Sequence, residues 1–250
     1  MLSCTAPEQN DKASEYPGEH TNQYPAILQK VFDAHGGLSQ WQKMKSASFD
    51  LYYNGKEVDE HKVDLNSRKT LVFNDVYRLG YDGDQVWYTG QDEEEFPGGS
   101  SRFYHNLHFY FFAMPFVFAD DGIVYEELGV RNIRDQAYDV LKVSFKEGVG
   151  DAPEDEYVLY FDQQSHRLSW MLYTVTYFSQ QESDKYSARH YKNWQWVNGL
   201  LVPLDCDKYR WNKDSLHEQQ YSNSYRNVEL SELVIDQSMF LAPANAQTSP

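Results

Sequence analysis

The chain has 250 residues, 41% of them hydrophobic and 16% aromatic, so it holds enough apolar surface for one large domain or two small ones. Its 22 basic and 38 acidic residues leave a formal net charge of −16, which argues against nucleic acid as a partner and against electrostatic docking on anionic lipid. No run of about 18 apolar residues occurs, so no transmembrane helix is predicted.

The N-terminal residues 1–22 are polar, contain Pro7 and Pro17, and offer little to pack, which predicts a disordered tether. The two cysteines, Cys4 and Cys206, are too few for a disulfide framework. The triplet Leu2-Ser3-Cys4 before this tether resembles the end of a bacterial lipoprotein signal, in which the cysteine carries the lipid. Cys4 is therefore the candidate lipidation site, and an ordinary cysteine near a disordered end is the alternative.

The next segment, Pro25 to Ala34, has apolar residues at three-to-four spacing and predicts a helix that ends at Gly36. From Ala47 onward the apolar residues alternate with polar ones, and Asn54-Gly55 is a hairpin-turn dipeptide. About ten or eleven strands are predicted in this way. Because no strand–helix–strand alternation appears, the sheet should be antiparallel.

One segment, Phe103 to Ala119, interrupts the strands with eight Phe and Tyr residues, and Pro115 prevents a single continuous helix. It is too short to span a membrane, so its apolar surface should lie against protein, a ligand or a partner. We call it the aromatic insert.

Two later regions, Arg167 to Phe178 and Tyr186 to Trp211, are apolar on both faces of the predicted strands. Strands of this kind are covered on both sides. The sequence therefore predicts a mainly β (α+β) fold: a single curved antiparallel sheet or open half-barrel, with an N-terminal helix and the aromatic insert over an apolar interior. The domain should span residues 23–243, followed by a disordered tail at 244–250.

The apolar interior should either be filled by side chains or hold a ligand. The candidate ligand-binding residues are aromatic or apolar residues of the insert and of the strands: Trp87, Phe109, Phe112, Phe116, Trp170, Leu172, Tyr173, Trp194, Trp196 and Trp211. Two alternatives stay open, since the tryptophans are also able to stack against sugar rings and the phenylalanines to plug the barrel.

Catalytic and metal motifs are missing from the sequence. His105 and His108 have a spacing that places both on one helix face, but no third ligand follows in a zinc pattern. There is no nucleophile elbow and no glycine-rich phosphate loop. The sequence predicts no catalytic residues, no metal and no cofactor.

Several short motifs occur along the chain in a characteristic order: His35-Gly36-Gly37, Tyr81-Asp82-Gly83-Asp84-Gln85-Val86-Trp87, Tyr160-Phe161-Asp162, Val197-Asn198-Gly199-Leu200 and Ile235-Asp236-Gln237-Ser238-Met239-Phe240. Together they resemble the LolA/LolB-like superfamily of periplasmic lipoprotein carriers, and more closely uncharacterised Bacteroidota lipoproteins of that type. The resemblance implies a half-barrel around helices, a hydrophobic cavity that accepts acyl chains, and no catalytic residues.

These observations predict a non-enzymatic lipoprotein of the bacterial cell envelope that binds a lipid, an acyl chain or another hydrophobic molecule and meets the membrane only through its anchor. One alternative is a structural or interaction lipoprotein with a filled core and an unknown protein partner. A carbohydrate-binding or hydrolytic protein is a further alternative.

Overall fold

The structure, a computed structural model, describes residues 24–96, 99–146, 148 and 152–249. The predicted tether with Cys4 lies outside this part of the chain. The helices are α1 (Ala26–Ala34), α2 (Leu38–Lys43) and α3 (Ser101–Phe112), together with 3₁₀ helices at Glu93–Glu95, Phe116–Ala119 and Gln237–Phe240.

The strands number thirteen over the described residues. They are β1 (Ser46–Tyr53), β2 (Lys56–Asp64), β3 (Thr70–Phe73), β4 (Arg78–Tyr81), β5 (Val86–Thr89), β6 (Ile123–Ile133), β7 (Gln136–Phe145), β8 (Tyr157–Asp162), β9 (Leu168–Tyr173), β10 (Ser187–Val197), β11 (Leu200–Asn212), β12 (Ser215–Ser231) and β13 (Gln247–Ser249).

All thirteen strands form one sheet, in the order β13-β5-β4-β3-β2-β1-β12-β11-β10-β9-β8-β7-β6. Every neighbouring pair is antiparallel. Within the described chain β13 and β6 are the two edges and do not pair with each other, so the sheet is open. The predicted fold class, a single open antiparallel sheet with few helices, is confirmed.

Two of the strands, β6 and β13, add to the ten or eleven that the sequence predicts. Most β6 side chains are exposed, because this strand lies at an edge, and its apolar residues therefore do not alternate strictly. β13 falls in the segment 244–250 for which the sequence predicts disorder. Its residues pair with the β5 backbone, and Gln247 lies opposite Tyr88. Such pairing needs no apolar side chain, so hydrophobic patterning does not predict it.

The C-terminal end of α1 docks on the β10–β11 hairpin. His35 is fully buried, and its Nδ1 lies 3.0 Å from the Leu201 carbonyl oxygen while its Nε2 accepts from the Leu168 N–H at 3.3 Å. Burial lowers the pKa of His35 to about 4, so the ring is neutral at pH 7. Gly36 follows with φ +101°, and a Cβ there would stand 2.2 Å from the Gly199 carbonyl oxygen, so only glycine fits.

Both faces of the sheet carry buried side chains. One face, which we call the helix-covered face, packs against Leu28, Val31 and Phe32 of α1. It also packs against the inward side of α3, which carries Phe109 and Phe112. The opposite face carries a separate cluster around Tyr160 and Trp170. The prediction that β9 is buried on both sides is correct, but the strand ends at Tyr173 rather than continuing to Phe178, which lies in a turn and is 59% exposed.

Candidate functional site

A groove of about 530 Å³ lies between α3 and the strands at one end of the sheet, β6 to β8. Its helix-side wall contains the polar residues Arg102, His105 and Asn106 of α3 and a larger set of apolar side chains from the aromatic insert: Phe103, Leu107, Tyr110, Phe111, Met114, Val117 and Phe118. The facing wall consists of Ile123, Phe145, Tyr157 and Tyr177. The volume lies in the range of about 300–1,000 Å³ that is typical of small-molecule sites.

The position of α3 determines which of its side chains line the groove. The helix begins at Ser101 because the Ser100 hydroxyl caps it, accepting from the Phe103 N–H at 3.2 Å. It ends before Pro115, which cannot continue it. Residues at three-to-four spacing along one side, such as Phe103, Leu107 and Tyr110, face the groove, whereas Phe109 and Phe112 face the sheet.

Charged side chains stand beside the apolar walls and bond to neighbouring polar groups. Arg68 Nη2, in the β2–β3 turn, donates to both carboxylate oxygens of Asp120 at 2.7 Å, which links that turn to the end of the Phe116–Ala119 helix. Asp155 Oδ1 accepts from the N–H and hydroxyl of Thr176 at 2.7 and 2.8 Å. Burial raises the pKa of Asp155. These contacts fix the polar margin of the groove.

Two predicted site residues of the insert, Phe109 and Phe112, lie on the opposite side of α3 from the groove, and the third, Phe116, belongs to the 3₁₀ helix that follows. Phe109, Phe112 and Phe116 are at most 1% exposed and belong to the core of the helix-covered face. Phe112 stacks on Phe49 at 4.6 Å between ring centroids, and Phe116 stacks on Trp41 at 4.8 Å. The sequence leaves open whether these rings bind a ligand or fill the interior, and in the structure all three are packed inside the core.

Four predicted site residues lie on the opposite face of the sheet. Trp170 and Leu172 are buried in the cluster around Tyr160, with Trp211 packed against it. Trp87 is 1% exposed, packs with Phe240 and donates its Nε1–H to the Phe240 carbonyl oxygen at 2.7 Å. Because Trp87 and Trp170 are buried, neither offers a ring face to a sugar.

The remaining three predicted residues occupy three different surroundings. Tyr173 is buried in the core, and Trp194 stacks on Tyr191 at 5.5 Å, whereas Trp196 is 61% exposed. None of the ten predicted residues lines the groove. The sequence does contain information that identifies the groove residues on α3. With 3.6 residues per turn, Phe103, Leu107 and Phe111 fall on one side of the helix and Phe109 and Phe112 on another.

A buried polar cluster lies under α3, apart from the groove. Asp59 Oδ2 accepts hydrogen bonds from the hydroxyls of Tyr77 and Tyr104, each at 2.6 Å. The other carboxylate oxygen, Oδ1, lies 2.6 Å from His61 Nε2. Burial opposes ionisation of Asp59, but His61 and the two hydroxyls outweigh burial and lower the pKa of this carboxyl. Asp59 and His61 are each 1% exposed, so the pair holds the interior together and meets no solvent.

The two histidines of α3 do not form a metal centre. His108 is buried, and burial lowers its pKa to about 3, so it is neutral at pH 7. His105 Nδ1 contacts the Arg102 carbonyl oxygen. In the described part of the chain no group of three or more His, Cys, Asp or Glu side chains is arranged to hold a metal ion. Over the same residues, no helix has the length and apolarity needed to cross a membrane.

Comparison with protein families gives one match, to DUF6503, a family of unknown function, over residues 66–213. No curated protein matches the chain.

Among solved structures, a LolA superfamily protein from Nitrosomonas europaea is similar at 11% identity and a TM-score of 0.49, with 86% of this chain and 96% of the other covered. An outer-membrane lipoprotein-sorting domain from Vibrio parahaemolyticus has 9% identity and a TM-score of 0.47, with 86% and 94% covered. A DUF1329 family protein from Desulfovibrio piger has 12% identity and a TM-score of 0.47, with 84% and 95% covered. A LolA superfamily protein is thus among the structures to which this chain is similar. The resemblance to Bacteroidota lipoproteins stays a prediction.

Proposed function

Since this chain belongs to DUF6503, a family of unknown function, we propose its activity from the groove itself: the protein is a non-enzymatic carrier that holds the acyl chain of a lipid between α3 and strands β6 to β8. The observation that carries the proposal is the pair of apolar walls. Phe103, Leu107 and Phe111 on the helix face Ile123 and Tyr157 on the strands, across about 530 Å³.

Burial of an acyl chain supplies the driving force for this binding. Removing apolar surface from water contributes roughly 25 cal/mol per Å², or about 0.8 kcal/mol for each buried methylene. A chain of about a dozen methylenes therefore contributes up to ~10 kcal/mol before the costs of association. The polar side chains that also line the groove, such as Arg68, Arg102 and Asp155, lie beside the apolar walls and supply no part of this term.

The proposal also includes a cell-envelope location. Its support is the Leu2-Ser3-Cys4 triplet and the polar residues 5–22 after it, which would provide a tether between a lipidated Cys4 and a domain over residues 23–243. The mass of Cys4 peptides from the membrane fraction tests this part. Diacylglycerol-modified peptides, with loss of membrane association in Cys4→Ser, are expected. An unmodified Cys4 in membrane-associated protein would contradict it.

Two neighbouring residues of β6 allow a matched test of acyl-chain binding. Ile123 lines the groove, whereas the side chain of Val124 alternates to the other face and is 44% exposed. Ile123→Trp should fill the groove, and Val124→Trp should leave it open. With dodecanoate as the probe, calorimetry and native mass spectrometry should show binding to the unchanged protein and to Val124→Trp, and at least about tenfold weaker binding to Ile123→Trp.

Equal binding by the two tryptophan variants would contradict the assignment of the groove. Absence of binding by the unchanged protein would favour the second candidate, a structural or interaction protein. The observation behind that candidate is the filled core of the helix-covered face, where Phe112 and Phe116 leave no room for a ligand.

A further inference from the structure

A cation lies in the interior without an acidic partner. Arg189 of β10 is 1% exposed, and its Nη1 donates to Asn223 Oδ1 at 2.9 Å while its Nη2 approaches the Tyr221 hydroxyl at 3.4 Å. Within the described chain no carboxylate pairs with it. Asp207 alternates to the other face of β11, where it accepts from the Ser222 hydroxyl. A buried guanidinium without a counter-charge is costly, so its presence calls for an explanation.

A second basic group lies next to Arg189. Lys208 Nζ donates to the Tyr173 hydroxyl at 2.7 Å and stands 4.6 Å from the centroid of that ring. Burial, and then the charge of Arg189, lower the pKa of Lys208 to about 7. This region of the interior is therefore basic, although the chain as a whole carries −16.

Three buried groups on β10 and β12, the two strands that flank β11, lack partners among the described residues: Arg189 Nε, Asn223 Nδ2 and the Tyr225 hydroxyl. All three are able to donate a hydrogen bond. A buried donor without an acceptor costs roughly 1–3 kcal/mol. Water is able to accept these bonds, but only an anion both accepts them and neutralises the guanidinium.

The Phe111 ring lies between this basic region and the groove and contacts both. The Phe111 ring centroid lies 3.7 Å from the guanidinium carbon of Arg189, and Phe111 also lines the groove. The same ring meets Tyr173 edge-on at 5.3 Å, next to the hydroxyl that accepts from Lys208. Rotation of Phe111 about its side-chain bonds would therefore connect the groove with Arg189.

We propose that the ligand of the groove is a single-chain amphiphile with a terminal carboxylate, whose head group pairs with Arg189 when the Phe111 ring turns aside. This inference rests on the proposed function, because the acyl chain occupies the groove described above. It adds the chemical class of the ligand, its orientation with the head group inward, and a gate at Phe111.

The charge requirement is tested by comparing dodecanoate with methyl dodecanoate, which has the same chain and no charge. The unchanged protein should bind the acid at least about tenfold more tightly than the ester. Arg189→Met should remove that preference, while Arg210→Met, at an exposed position of β11, should keep it. Acetate at the concentration of dodecanoate should not compete, because the head group alone gains no apolar burial.

The stability of Arg189→Met separates a ligand-binding role from a structural one. If Arg189 is a binding residue for an anion, the ligand-free Arg189→Met variant should unfold at the same denaturant concentration as the unchanged protein or at a higher one. The reason is that the substitution removes a buried charge without a counter-charge. If Arg189 is a structural element, that variant should unfold earlier. The gate is tested with Phe111→Leu, which should speed dodecanoate association several-fold, because the contact of the ring with the guanidinium no longer opposes opening.

Failure of this inference is distinguishable from failure of the proposed function. Equal affinity for acid and ester, an unchanged preference in Arg189→Met, or competition by acetate alone would overturn the inference and leave acyl-chain binding in place. An unchanged association rate in Phe111→Leu would overturn the gate. Binding of neither the acid nor the ester would overturn the proposed function itself.

Discussion

The two sides of α3 differ in their surroundings: one is packed into the core, and the other lines the groove. The inward side, with Phe109 and Phe112, is completely buried against the sheet and fills the interior. The outward side, with Phe103, Leu107 and Tyr110, leaves about 530 Å³ open toward strands β6 to β8. Both sides are aromatic, so composition does not separate them. The difference lies in the presence or absence of a facing layer of side chains.

This contrast shows where stability and binding are located. Close-packed rings such as Phe112 stabilise the fold, since their removal leaves a cavity that the structure does not fill. Rings on the groove side have a partly empty neighbourhood, and their contribution to the fold is smaller. An acyl chain in the groove would supply the missing layer.

The largest expected effect is on the inward side. Phe112→Ala should lower the free energy of unfolding by about 3–5 kcal/mol, because it leaves a cavity beside Phe49. Phe103→Ala, the matched change on the outward side, should cost about 1 kcal/mol, mainly its ring contacts with Tyr177 and Phe178. Chemical denaturation measures both. Similar losses for the two variants would contradict the division of α3 into two sides.

A smaller effect concerns the pH dependence of the free energy of unfolding, to which the buried His35 contributes. The unfolded chain protonates His35 near pH 6.5, whereas burial lowers the pKa of His35 in the folded protein to about 4. The unfolded state therefore binds more protons at His35 between these values, and the contribution of His35 to the free energy of unfolding should fall by roughly 1.4 kcal/mol per pH unit as pH drops from about 6.5 to about 4.

The matched variant for His35 is His35→Gln, whose amide is able to donate to the Leu201 carbonyl oxygen and accept from the Leu168 N–H. Denaturation at several pH values should show a shallower pH dependence in this variant, by the contribution of one histidine. His108 and Asp59 titrate equally in both proteins and cancel in the difference. An identical slope would show that His35 does not titrate in this window.

Much of the fold could be predicted from the sequence because its signals are local. Asn54-Gly55 and the alternation that follows Ala47 predict the β1–β2 hairpin. The apolar spacing after Pro25 predicts α1, and Gly36 marks where that helix has ended. β6 and β13 lacked such signals. β6 is an exposed edge with few buried side chains, and β13 is held by backbone pairing with β5.

The site could be predicted only in part, because lining a groove is a property of the whole fold. The insert, which the sequence singles out, supplies one wall of the groove, but the residues within it that line the groove depend on which helical side meets the sheet. The predicted tryptophans lie outside the groove for a different reason. A strand apolar on both faces, such as β9, is equally compatible with a cavity and with two filled layers, and in this protein Trp170 lies in a filled layer.

The most direct test of acyl-chain binding in the groove is photo-crosslinking with a fatty acid that carries a diazirine in mid-chain, followed by peptide mapping. The label should attach to groove peptides, above all around Phe103–Leu107 of α3 and around Tyr157, and added dodecanoate should suppress it. Labelling around Trp170 and Trp211 on the opposite face, or labelling that dodecanoate leaves unchanged, would contradict the account.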